Sequence, residues 1–195
     1  MRPTCPSAML HAMSAGLKSA VPMIHPTSRM VGIAGEHYAA MQLAQHGMLP
    51  ILLAPGHPGI DLIAEDDSTT LTFQVKTRGA DNPHAYDLDG DRLSADFLVI
   101  VRLNLWHTHG TVAGGSRYLP PESPQPPRAW VLPLEVAQLV WDIAGYRHPQ
   151  RPALHTGKVI DILADWDEAW TSVTDELAAR KKAAQKLVLQ LAQPL

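Results

Sequence analysis

The sequence predicts an α/β domain. Three observations carry that reading: a helical pattern over residues 31–46, two alternating strand patterns over residues 59–77, and an unbroken β-branched run over residues 97–105. With 195 residues the chain is long enough to bury one core, and its 46% hydrophobic fraction is ordinary for a globular protein. The single cysteine, Cys5, rules out a disulfide within one chain and fits a reducing, cytoplasmic compartment.

Residues 1–29 mix Pro, Ser, Ala, Met and His. Their apolar runs are too broken for a transmembrane helix, and Ala8 to Met13 is too short for the apolar region of a signal peptide. They read as an N-terminal extension, with a core expected over residues 30–145 and a C-terminal segment over residues 146–195. No membrane association is expected.

The first helix is expected between an N-cap at Thr27 or Ser28 and a terminator at Gly47. Ile33, Ala40, Leu43 and Ala44 form its apolar stripe, and Glu36 falls on that stripe. A carboxylate aimed at a core is costly to desolvate without a partner. Glu36 therefore either meets a cation or strong donor, such as Lys76 or a bound metal, or rotates to the helix edge into solvent.

The period of two in a strand sends Leu71, Phe73 and Val75 to one face and Thr72, Gln74 and Lys76 to the other. The preceding run, Gly59 to Ala64, is joined to it by the polar turn Glu65 to Thr69, so the two form an antiparallel hairpin. Asp61 then lies beside the Gln74/Lys76 end. A carboxylate, an amide oxygen and an ammonium around one point suit a hard divalent cation held against a phosphate. Mg²⁺ keeps several waters and needs only one or two carboxylates from the protein, while a lysine can orient the attacking water. The same residues also read as a half-exposed hairpin with solvated side chains.

Residues 78–94 are rich in Asp, Asn, Pro and Gly and read as a loop, in which Asp87, Asp89 and Asp91 fail the calcium-loop frame for want of its Gly and closing Glu. Phe97 to Leu105 is a buried strand. His107 and His109 share a strand face, but no further zinc ligands follow at a suitable spacing, which favours a surface pair. Residues 110–128 carry Gly-Gly and Pro clusters and read as a long loop, covering a cleft or binding a partner.

Trp130 to Leu132 resumes a strand, and Pro133 opens a helix through Ile143 that Gly145 ends. Residues 158–163 read as a short strand. Asp165, with Glu168 three residues on, caps a long helix striped by Trp166, Trp170, Val173, Leu177, Ala184, Leu187 and Leu191. That length suggests homodimerisation through its distal turns.

Gly35-Glu36 on a first helix, Gly47 ending it, a strand, then Gly59-Ile60-Asp61-Leu62-Ile63-Ala64 and a strand with Gln74-Val75-Lys76 resemble the PD-(D/E)XK nuclease superfamily. The resemblance covers residues 31–105, with a continuation near Ala129 to Trp141. It implies an αβββαβ restriction-endonuclease-like core with a mixed central sheet. It also implies an endonuclease cutting DNA with Mg²⁺ or Mn²⁺, in which Glu36, Asp61, Gln74 and Lys76 are catalytic and the first three bind metal. Two positions depart from the family: Gln74 stands where Asp or Glu is usual, and Ile60 where the motif has Pro. In the family frame the loop of residues 78–94 lies beside the active face, with His84, Tyr86 or Arg92 within reach of substrate.

The net charge of −3 argues against strong non-specific DNA binding, so a nucleic-acid site must be a local patch. Lys76, Arg78, Arg92, Arg102 and Arg117 either supply that patch or are scattered surface charges. Two other readings stay open. One is an inactive nuclease-fold module that binds nucleic acid or a protein. The other is a metal-dependent phosphoesterase acting on a smaller substrate.

Overall fold

The computed structural model describes residues 27–54, 57–66, 69–79, 85–103, 107–112, 115–119, 126–150 and 152–191. The expected extension, apart from residues 27–29, lies outside these, as do Cys5 and His84.

Helix α1 (Ser28–Gln45) begins two residues inside the expected extension, because Thr27 is its N-cap and its hydroxyl accepts from Met30 N at 3.3 Å. Gly47, at φ 81°, turns the chain out of the helix. The buried face of α1 is Gly35, Ala39 and Leu43, not the stripe expected from hydrophobicity: Ile33 is 41% exposed and Ala44 is also exposed. Beside Leu43 the sheet-facing positions Gly35 and Ala39 are small because the helix lies close against β3 there.

Strands β1 (Leu49–Leu52), β2 (Leu62–Asp66) and β3 (Thr69–Gly79) follow as antiparallel neighbours, with Leu62 opposite Phe73. The expected loop after Lys76 starts later, since β3 runs to Gly79, and it contains a short strand β4 (Ala85–Asp87) and a 3₁₀ turn at Gly90–Arg92. Strand β5 (Phe97–Leu103) then pairs parallel to β3. Strands β6 (His107–Val112) and β7 (Gly115–Leu119) form an antiparallel hairpin where a loop was expected. The β-branched and aromatic residues Thr111, Val112 and Tyr118 fit pleated pairing despite the surrounding Gly and Pro.

Strand β8 (Arg128–Pro133) completes a five-stranded mixed sheet in the order β1-β2-β3-β5-β8. Helix α2 (Leu134–Ala144) follows directly, and β9 (Gly145–Tyr146), β10 (Ala153–His155) and β4 make a small second sheet. The strand expected at residues 158–163 is instead a 3₁₀ turn, Thr156–Lys158, and helix α3 (Ile160–Ala164). Val159 and Leu163, four apart, both bury, and that is the helical spacing.

The last helix, α4 (Thr171–Leu191), starts six residues after the expected cap. Glu168 explains the delay. Its backbone sits at φ 51°, and its carboxylate accepts from Ala129 N at 2.6 Å and from Trp170 Nε1 at 2.9 Å, so it ties the chain to β8 instead of continuing a helix. Trp166 therefore precedes the helix, while Trp170, Val173 and Leu177 are buried as expected. The side chains of Ala184, Leu187 and Leu191 lie outside the described residues.

Two cores sandwich the sheet. Leu71, Phe73 and Val75 of β3 pack with Ala39 and Leu43 of α1 and with Trp170, Val173 and Leu177. On the opposite face Leu98, Ile100, Trp130 and Leu132 pack against Ala137, Val140 and Trp141 of α2 and against Leu163. Strand β5 is buried on both faces, which accounts for its unbroken apolar run. Among the described residues no helix is long and apolar enough to cross a membrane.

Candidate active site

Strand β2 begins at Leu62 while its partner β3 runs on to Gly79, so the β3 edge beyond Gln74 lacks a backbone partner from β2. Asp61 fills that role with its side chain. Its Oδ2 accepts from Val75 N at 2.7 Å, its own N donates to Phe73 O at 2.8 Å, and its carbonyl accepts from Leu53 N at 3.0 Å. The carboxylate is thus held in place at the start of β2, with Oδ1 left over.

The β2–β3 pairing ends at Leu62 and Phe73, with Asp61 next to Leu62 in the chain and Gln74 next to Phe73. Alternation along β3 puts Gln74 and Lys76 on one face, as expected, and both are half-buried. The Gln74 Oε1 is buried and finds no hydrogen-bond partner. An unpaired buried amide oxygen is costly and uncommon in folded proteins.

Glu36 reaches the site from α1. Gly35 makes this possible, because a Cβ there would lie 1.8 Å from Thr77 Oγ1, and only glycine lets the helix approach β3 so closely. Glu36 is half-buried, neither on the core stripe nor free in solvent. Burial, and next the Asp61 carboxylate, raise its pKa above the ordinary value, against the opposing pull of His37 and Lys76. Glu36, Asp61 and Lys76 therefore share one electrostatic environment.

Glu36 and Asp61 also line one cleft of about 200 Å³, with Arg29, Gly32 and Ile33 of α1 and Leu53, Ala54, His57 and Ile60 of the β1–β2 connection. Gln74 and Lys76 are not in its lining; they lie on the face of β3 away from Leu71, Phe73 and Val75, which pack against α1. Arg29 and His57 were not singled out from the sequence. Arg29 lies seven residues before Glu36 on the same helix face, a spacing that offers a signal for it, whereas His57 meets the cleft only through the fold.

Among the described residues no group of three or more His, Cys, Asp or Glu gathers as a metal site. Glu36 and Asp61, the two carboxylates of the cleft, are hard oxygen donors of the kind Mg²⁺ or Mn²⁺ takes, with water completing its shell. The three aspartates of residues 87–91 go elsewhere: Asp87 to Arg78 at 2.9 Å, Asp89 to Arg92 at 3.1 Å, and Asp91 to Trp141 Nε1 at 2.9 Å.

The expected basic patch is largely engaged. Besides Asp87, Arg78 bonds Ala85 O through Nε at 2.7 Å, and Arg92 is held by Asp89. Arg102 stands in register between Arg78 and Arg128, its Nε buried without a partner. Arg128 pairs with Asp167 through two contacts, one of 2.7 Å. The side chain of Arg117 lies outside the described residues, though its backbone pairs opposite His109. Tyr86 does not reach a substrate: it is fully buried in the core under α2, where desolvation drives its phenol pKa upward.

No protein-family model matches the chain, and no curated protein matches it. Among solved structures it is similar to a bacterial homing endonuclease, I-Ssp6803I, at 16% identity and a TM-score of 0.49, with 82% of this chain and 99% of that one covered.

Proposed function

We propose that the protein is a divalent-metal-dependent endonuclease of the PD-(D/E)XK type that hydrolyses phosphodiester bonds in DNA. The observation that carries the reading is that Asp61, pinned by Val75 N at 2.7 Å, shares one cleft with a half-buried Glu36 whose pKa it raises, with Lys76 close enough to pull that pKa the other way. In this reading Asp61, Gln74 and Glu36 hold Mg²⁺ or Mn²⁺. The bound ion would polarise the phosphoryl oxygen and lower the pKa of a coordinated water.

The residues of the chain do the rest. Asp61 is fixed by the Val75 amide, so its remaining oxygen is presented without the entropy cost of ordering a free side chain. Lys76, two residues past Gln74, orients the attacking water and offsets the charge that develops on the phosphate. Glu36, kept in a low-dielectric cleft, assists a second ion or orients Lys76.

One observation favours a second reading. Gln74 contributes no negative charge to the ion, and a binding-only nuclease-fold module would tolerate that. Incubating plasmid and single-stranded DNA with Mg²⁺ or Mn²⁺ separates the two. The nuclease reading predicts cleavage by the wild type and a loss of at least about 100-fold in Lys76→Ala, the scale of a catalytic proton-transfer or electrostatic group. Equal cleavage by both proteins, or none by either, would refute it.

A further inference from the structure

The cleft carries both signs of charge: Glu36 and Asp61 line it together with Arg29 and His57, both exposed, and with the apolar side chains Ile33, Leu53 and Ile60. Among the described residues Arg29 makes no ion pair, unlike Arg78, Arg92, Arg128, Arg147 and Arg180. Arg29 and Glu36 are seven residues apart on α1, two turns along one face, so an anion on the guanidinium lies about 10 Å along the helix from the carboxylate. That span is of the order of one to two backbone steps of a nucleic-acid strand.

From this geometry we infer that Arg29 is a phosphate-binding residue of the cleft, gripping a backbone phosphate next to the one at Glu36 and Asp61. His57 is a second donor on the opposite wall. A guanidinium suits this task because its planar fork meets two phosphate oxygens at once. Apolar side chains among the charged groups suit the sugar that links two phosphates. The ligand is thus a phosphodiester strand rather than a lone phosphate, and the inference rests on the nuclease-type reading only for the identity of the site.

Gly32 supplies an independent handle. It lines the cleft, yet a Cβ added there would meet nothing within 4 Å, so a side chain at this position enters the cleft and not the core. The test is the salt dependence of binding of a labelled single-stranded DNA and its duplex, with Ca²⁺ in place of Mg²⁺, on the full chain. Each phosphate contact contributes about 0.7 to 0.9 to the slope of log K against log salt. Arg29→Ala should weaken binding several-fold and flatten the slope by roughly one contact, Arg29→Lys should keep the slope, and Gly32→Leu should weaken binding with a melting temperature no lower than that of the wild type.

A slope for Arg29→Ala equal to that of the wild type would overturn the inference, as would wild-type affinity in Gly32→Leu or no DNA binding by any form. The two readings fail separately. A wild type that binds through Arg29 without cutting removes only the nuclease, and one that cuts with an Arg29-independent slope removes only the phosphate grip.

Discussion

Gly35 and Gly32 sit one turn apart on α1 and meet opposite surroundings. At Gly35 a Cβ would press within 2.7 Å of the Thr77 Cβ and still closer to its hydroxyl, so an added methyl must push helix from sheet. Gly35→Ala should therefore cost about 1–3 kcal/mol in urea denaturation, the usual scale of overpacking. Gly32→Ala should be neutral or stabilise by up to about 1 kcal/mol, since alanine is the better helix former. Equal stability in both variants would contradict the close approach that brings Glu36 to Asp61. Strand alternation made Gln74 and Lys76 legible in the sequence, and the hairpin register did the same for Asp61. His57 was not legible, because its place in the cleft arises from the β1–β2 connection folding over α1, a contact that local spacing does not encode. Gln74 itself was legible as a departure, but its unsatisfied oxygen appears only once neighbouring strands close around it.

At the scale of elements, α4 is fastened to the sheet by charge as well as by its apolar face. Arg180 donates to Asp96 at 2.7 Å and to Glu176 at 2.7 Å, while Asp96 accepts from both N and Oγ1 of Thr72, each at 2.8 Å. Burial raises the Asp96 pKa, but the bonds from Arg180 and Thr72 outweigh it and leave the carboxyl below its ordinary value. A lowered folded-state pKa gives stability that is present above the unfolded value of about 3.8 and is lost as pH falls through the folded one. Asp96→Asn should consequently be less stable than the wild type at neutral pH, with the gap narrowing in urea melts below about pH 4. A gap independent of pH would remove the ionic account of this junction. Elsewhere Glu168 joins three elements, since its carboxylate also accepts from Tyr38 OH at 3.3 Å, and burial together with this carboxylate pushes the phenol up to about 12. The capping-box pattern at Asp165 and Glu168 misled for this reason. The glutamate bonds the backbone of β8, and a tertiary partner outweighs a local cap worth about 1 kcal/mol. At residues 107–119 the glycines, and the proline clusters that follow them, concealed a hairpin, because composition reports turn formers and not the β-branched residues between them.

For the whole molecule, a mixed five-stranded sheet between two helical layers places the candidate site at a strand end, where β2 stops short of β3. The α/β class was readable from three apolar patterns, since long, strongly patterned segments survive folding with their type unchanged. The connections between them were not, because Tyr86 and Leu154 build a second small sheet whose partners lie far apart in the chain. The net charge of −3 argues against a broad DNA footprint, and among the described residues Arg78, Arg92 and Arg128 of the surface are already ion-paired. Under the proposed function, recognition concentrates at the cleft, with Glu36, Asp61 and Arg29. The central claim is that Asp61 anchors a divalent ion for phosphodiester cleavage, and it is most directly tested by nicking of supercoiled plasmid with Mn²⁺. The wild type should convert the plasmid to open circles and stop on addition of EDTA, while Asp61→Asn, which keeps the oxygen that accepts the Val75 amide, should be slower by at least about 100-fold. Undiminished nicking by Asp61→Asn, or by the wild type in EDTA, would contradict the account.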